Sequence, residues 1–148
     1  MEKNKVFENE ILQIYHYPQE DILEMVWTSQ PNTPQQQIRE ACLAYLEQQK
    51  RYKSKFNIVN TQNAGYVIVP EDQDWINTHI APEAWKAGMR AAAYIMPEDF
   101  FMGLSIEQLS EDASLNAETR QVMIQQQYFK DIQSALKWFS SLKEKEQV

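Results

Sequence analysis

Glycine is scarce in this chain, which has only Gly65, Gly88 and Gly103 among 148 residues. Phosphate-binding loops of the Rossmann and P-loop types need several closely spaced glycines, so the sequence carries neither motif. Cysteine and histidine are equally rare, with one cysteine and two well-separated histidines, His16 and His79. Such a set is too small and too scattered for a zinc site. We therefore expect no metal, nucleotide or other cofactor.

Basic residues are outnumbered, with 14 lysines and arginines against 21 acidic residues and a formal charge of -7. Nucleic acid and anionic membranes attract basic faces, so neither is an expected partner. The longest apolar stretch, Ala91 to Met96, is far too short to span a bilayer. The polar start, Met1 to Lys5, leads into no long apolar segment, and the expected location is cytoplasmic.

The residues that are present indicate a folded chain. Hydrophobic residues make up 43% of the sequence and include four tryptophans, which is typical of a protein with a core rather than of a disordered chain. A length of 148 residues fits a single domain covering the whole chain.

The first recognisable pattern is a hairpin. Residues Ile11 to Tyr17 and Ile22 to Thr28 alternate between apolar and polar side chains, as half-buried strands do. The short segment Pro18 to Asp21 between them is rich in turn formers. The sequence therefore predicts two antiparallel strands.

Helices and strands then alternate. A helix is predicted from a capping Thr33 to about Lys50, followed by a strand at Phe56 to Asn60. A loop over residues 61–65 leads towards a second helix that begins at Pro70.

The alternation continues to the end of the chain. Pro82 is predicted to begin a further helical piece that stops at Gly88, and the apolar segment Arg90 to Met96 is predicted to be an interior parallel strand. The last strand is predicted at Val122 to Phe129, before a final helix capped by Asp131. We thus predict an α/β protein whose mixed sheet starts with an antiparallel hairpin and continues in right-handed β-α units.

Between the last two strands, Pro97 and Ser105 are predicted to begin two short helical pieces.

Catalytic patterns are weak. Cys42 lies on the apolar side of the first helix and is interpreted as a buried, inert thiol. The acidic cluster Glu71, Asp72 and Asp74 lies at a helix start, where carboxylates more often complement the helix dipole than perform catalysis. No nucleophile elbow is present, and we expect a protein that is not an enzyme.

Trp75 and His79 are spaced to share one helix face, beside Trp85 on the next helical piece. A core pair with a satisfied histidine is the favoured interpretation, and a ligand site is the alternative.

A second candidate is the apolar run at residues 66–69, which follows a polar loop. An extra strand or a tucked lid would explain it, but it can also form a docking surface for a protein partner or a second copy of the chain. The expected contact residues, for a partner or a ligand, are Tyr66, Val67, Ile68, Trp75, His79 and Trp85.

The order of elements resembles the SpoIIAA-like, or STAS-type, domains of sulphate transporters and anti-sigma antagonists, and more closely the bacterial STAS-like proteins without an assigned role. The residues that carry this resemblance are Leu23–Trp27, Pro70–Asn77, Tyr94–Asp99, Tyr128–Asp131 and Ala135–Trp138. The resemblance implies helices chiefly on one side of the sheet. It also implies a regulatory domain that binds a protein partner or itself.

One feature departs from that family. Anti-sigma antagonists carry a phosphorylated serine at the start of the helix after the third strand, whereas this chain has Ile68 to Glu71 there, without serine or threonine. The kinase-controlled switch is therefore not implied. The alternative function is a carrier of a small apolar ligand or lipid, which an apolar cavity with converging polar groups would favour. An enzyme would instead require perturbed acids in a cleft.

Overall fold

The computed structural model describes residues 1–65, 70–97 and 124–146. These residues contain one six-stranded sheet, in which the spatial order of the strands follows the chain. The strands are β1 (Asn4–Glu8), β2 (Leu12–Tyr17), β3 (Ile22–Trp27), β4 (Phe56–Asn60), β5 (Ala91–Ile95) and β6 (Gln125–Phe129).

Strands β1, β2 and β3 pair antiparallel, and β3 to β6 pair parallel. The predicted mixed α/β sheet is therefore confirmed, including the hairpin, the strand at Phe56–Asn60 and the interior strand β5. Strand β6 lies within the segment predicted as the last strand. The expected run at 66–69 and the helical pieces after Pro97 and at Ser105 lie outside the described residues.

Strand β1 was missed by the sequence argument, which described the N-terminus as polar and assigned no strand before Ile11. Only Val6 and Phe7 of this strand are half-buried, so its sequence lacks a clear apolar alternation. The strand exists because β2 offers a free edge, and a register shift between Lys5 and Phe7 interrupts the pairing. Edge strands with charged residues are a common end to a sheet.

The described helices are distributed over both sheet faces. They are α1 (Gln35–Tyr52), α2 (Pro70–His79), α3 (Ala81–Lys86) and α4 (Ile132–Glu146). Helices α1 to α3 pack on one face, in a core that includes Leu12, Leu23 and Ala92. Helix α4 packs on the opposite face through Ala135, Phe139 and Leu142.

The predicted cap of α1 is wrong. Pro34 is the capping residue and makes no side-chain cap hydrogen bond, while the Thr33 hydroxyl accepts a hydrogen bond from the Gln30 backbone N–H at 2.8 Å. The predicted cap of α4 is confirmed, because the Asp131 carboxylate accepts a hydrogen bond from the Ser134 N–H at 2.8 Å.

The end of α3 is set by Gly88, as predicted. Its φ of +103° is a conformation that side-chain-bearing residues rarely adopt, and a β-carbon there would lie 3.3 Å from the Lys53 carbonyl oxygen. This turn sends the chain directly into β5.

Candidate functional site

An apolar cavity of about 150 Å³ lies between one sheet face and helices α1 to α3. Its floor is built by side chains of the parallel strands. Asn57 of β4, Ala92 of β5 and Gln126 of β6 are partners in the strand registers, so they form one row across the sheet. The small alanine in the middle of this row leaves open space that a larger side chain would fill.

The roof of the cavity is formed by the helices. Helix α1 contributes Ile38, Cys42 and Tyr45, which follow the three- and four-residue spacing of a single helix face. Helix α3 contributes Ala81 and Ala84, and both are buried. Small residues above a small floor residue explain why the two layers do not close completely.

A buried polar chain supports one side of the cavity. The Tyr45 hydroxyl donates a short hydrogen bond to the Asn57 side-chain oxygen, and the Asn57 amide donates to Gln49 Oε1 at 3.0 Å. Gln49 Nε2 in turn donates to the Ser54 carbonyl at 2.8 Å. These groups satisfy one another, so they hold α1 against β4 without an internal charge.

Among the described residues, no charged side chain lines the cavity. Burial raises the pKa of the Cys42 thiol from 9.0 to about 12, with a smaller contribution from the nearby Asp72 charge. Burial likewise raises the pKa of Tyr45 well above its ordinary value. Both groups are therefore neutral at pH 7, and Cys42 is the buried thiol that the sequence predicted.

The buried carboxylates lie elsewhere. Glu24 lies on the opposite sheet face, where its Oε1 accepts a hydrogen bond of 2.6 Å from the Tyr17 hydroxyl. Asp72, in the acidic cluster predicted to serve the dipole of α2, is buried and accepts a hydrogen bond of 2.7 Å from Gln35 Nε2. Neither carboxylate lines the cavity. The described part of the chain also contains no cluster of three or more histidine, cysteine or acidic residues that could hold a metal.

Of the six predicted contact residues, the three that the structure describes, Trp75, His79 and Trp85, do not line this cavity. Tyr66, Val67 and Ile68 lie outside the described residues. Trp75 is half-buried with its ring 5.4 Å from that of His79, between ring centroids. His79 is exposed, so the interpretation of a buried core pair is wrong for the histidine.

Trp85 contacts Arg90 within the chain, and its role as a partner or ligand contact stays a prediction. The Arg90 guanidinium stacks on its ring at 3.8 Å from the centroid and also donates to the Trp85 carbonyl at 2.7 Å. This contact joins the end of α3 to the start of β5 and belongs to the frame of the fold.

The sequence argument missed the residues that do line the cavity, above all Asn57, Ala92 and Gln126. The sequence contains part of the signal for a cavity, because Ala91–Ala93 is a run of small residues in a strand that is predicted to be buried. Recognising a cavity from it requires the strand register, which the sequence alone does not give.

Comparisons with protein-family models, with curated proteins and with solved structures find no match to this chain. The STAS-type resemblance therefore stays a prediction, and the functional argument depends on the geometry of the cavity. Within the described ranges, no helix is long and apolar enough to cross a membrane.

Proposed function

We propose that this chain is a non-catalytic binding domain that holds a small apolar ligand between its sheet and helices α1 to α3. The observation that carries the proposal is the cavity of about 150 Å³ at that position, which is lined by no charged side chain of the described residues. Cavities lined mostly by apolar side chains take up apolar molecules, because moving apolar surface out of water is favourable.

The volume limits the ligand. A cavity of ~150 Å³ lined by aliphatic side chains is sufficient for benzene, whereas sites for drug-sized ligands are roughly 300–1,000 Å³. The ligand part that enters is therefore about one ring or a short alkyl chain. A complete phospholipid does not fit, although the end of an acyl chain does.

The rival functions receive less support from the described residues. Met1 and Leu43 are the large apolar side chains that are strongly exposed there, and they do not form the continuous patch expected of a docking face. Docking through Tyr66, Val67 and Ile68 stays a prediction. An enzyme would need an acid or base in the cleft, and no carboxylate, histidine or lysine of the described residues lines the cavity, while burial keeps Cys42 and Tyr45 protonated.

We also propose the STAS-like kinship and a cytoplasmic location. The kinship is supported by the antiparallel hairpin that leads into parallel strands. The location is supported by the acidic, polar composition. Neither proposal is needed for the ligand-binding claim.

The test is to fill the cavity. Ala84 is fully buried on α3 and lines the cavity, so Ala84→Leu places three additional carbon atoms in it. We expect toluene to bind the wild-type protein and to bind Ala84→Leu at least tenfold more weakly, as measured by NMR titration. The free energy of unfolding should stay equal or rise, because the leucine occupies empty space.

The matched control is Ala44→Leu, which changes a half-buried alanine of α1 that does not line the cavity. Toluene affinity should be unchanged in this variant. Inserting extra carbons into a filled core costs about 1–3 kcal/mol. A loss of that size in Ala84→Leu, together with no toluene binding to wild type, would refute the proposed function.

A further inference from the structure

Gln126 is the polar residue of the cavity floor that stands out. It is the second residue of β6, is only 9% exposed and lines the cavity. Its side-chain amide forms no hydrogen bond with any described residue. Among the described residues, no amide atom of Gln126 is both fully buried and unpaired, so the amide borders accessible space, and the cavity that Gln126 lines provides such space.

Three other polar residues that line the cavity, Asn57, Thr61 and Gln73, form side-chain hydrogen bonds within the protein. Asn57 is paired with Tyr45 and Gln49, the Thr61 hydroxyl donates to the Ile95 carbonyl at 2.9 Å, and Gln73 donates to Asn77 at 3.0 Å. Gln126 differs from these three because its amide has no hydrogen-bond partner among the described residues and borders the cavity.

We infer that Gln126 is a specificity-determining residue that hydrogen-bonds a neutral polar group of the ligand. The inference rests on the proposed function and adds the ligand class: a small, neutral, amphipathic molecule such as a phenol, an alcohol, a ketone or an amide with one ring or a short chain. The ligand is neutral because no charged side chain among the described residues lines the cavity, and an unpaired charge in an apolar site is strongly disfavoured.

The first test compares phenol with toluene, which have nearly the same shape but differ in a hydroxyl group. The variant Gln126→Leu keeps the size of the side chain and removes its amide. We expect the ratio of phenol affinity to toluene affinity to fall about tenfold from wild type to Gln126→Leu, because toluene makes no use of the amide. Both affinities are measured by NMR titration.

The matched control is Gln127→Leu on the same strand. Gln127 is exposed, and its position in the strand alternation places it on the opposite sheet face. This variant should leave the ratio of affinities unchanged. An equal fall in both variants would overturn the role assigned to Gln126.

A measurement on the wild-type protein covers the case in which Gln126→Leu does not fold. Phenol should shift the side-chain NH₂ resonances of Gln126 more than toluene does. Equal shifts with the two probes would overturn the inference. Benzamide should also bind at least tenfold more tightly than benzoate at pH 7, and equal binding would contradict a neutral ligand.

The outcomes separate the two claims. If neither toluene nor phenol binds wild type, the proposed function fails. If both bind, but their ratio is the same in wild type and Gln126→Leu, the cavity is a ligand site while Gln126 does not select the ligand. A water molecule that satisfies the amide in every complex would produce this second result.

Discussion

The buried position of Cys42 beside the cavity lowers the reactivity of its thiol. Its thiol lines an apolar space on the inner side of α1, and burial raises its pKa from 9.0 to about 12. Only the thiolate attacks alkylating reagents, and each tenfold change in its population corresponds to one pKa unit. The native thiol is therefore far less reactive than an exposed one.

We expect iodoacetamide to alkylate Cys42 in the native protein about a thousandfold more slowly at pH 8 than in the urea-unfolded protein, from the pKa difference alone. Saturating toluene should slow the native reaction further, because it occupies the space beside the sulfur. The rate is measured by mass spectrometry of the alkylated chain. A native rate within tenfold of the unfolded rate would show that the thiol is not held in this environment.

Single residues also show the limit of sequence reasoning. The buried state of Cys42 was predictable, since alanine and leucine surround it on an apolar helix side. The exposed state of His79 was not, although it follows Trp75 by four residues. The four-residue spacing places Trp75 and His79 on the same helix face. Whether the neighbouring sheet or helix covers both residues depends on tertiary packing, which the sequence pattern does not contain.

Helix α4 is the element with the clearest separate role, because it alone among the described helices covers the sheet face opposite the cavity. Phe139 is 2% exposed and stacks on Phe56 of β4, with 4.7 Å between ring centroids. Replacing a buried phenylalanine by alanine removes its contacts and leaves a hole, which typically costs about 3–5 kcal/mol.

We therefore expect Phe139→Ala to lower the free energy of unfolding by about 3–5 kcal/mol in urea denaturation. Phe139→Leu keeps most of the apolar volume and should lose less, while the exposed control Ser140→Ala should stay within about 0.5 kcal/mol of wild type. Toluene affinity should be unchanged in Phe139→Leu. A loss of toluene binding there would mean that the two sheet faces are coupled.

The strands were predicted best where their residues are apolar on both sides. Strand β4 has the predicted bounds, because Phe56, Ile58 and Val59 are aromatic or β-branched residues that favour a strand. Strand β1 escaped prediction because only Val6 and Phe7 pack against the core, and its pairing depends on the edge of a distant β2. Elements held by tertiary pairing rather than by their own pattern are not visible in one sequence.

For the whole molecule, the fold was predictable and the candidate site was not. The order of hairpin, helices and parallel strands follows from local patterns and from the rule that parallel strands need crossovers. The cavity follows from small residues on separate elements, Ala84 and Ala92, meeting across the gap between the sheet and the helices. Gln126 lies among three consecutive glutamines, and only the register with Ala92 distinguishes the inward one.

Isoleucine methyl groups provide the most direct test of the central claim, that the space beneath helices α1 to α3 is a ligand site. The cavity is lined by Ile38, Ile76, Ile80 and Ile124. The core on the opposite face contains Ile22, Ile58 and Ile95. The second set serves as a control within the same molecule.

The measurement is a methyl-resolved NMR titration of isoleucine-labelled wild-type protein with toluene. The proposed function predicts saturable shifts at the four cavity isoleucines and little change at the three on the opposite face. Absence of saturable shifts, or equal shifts on both faces of the sheet, would contradict it.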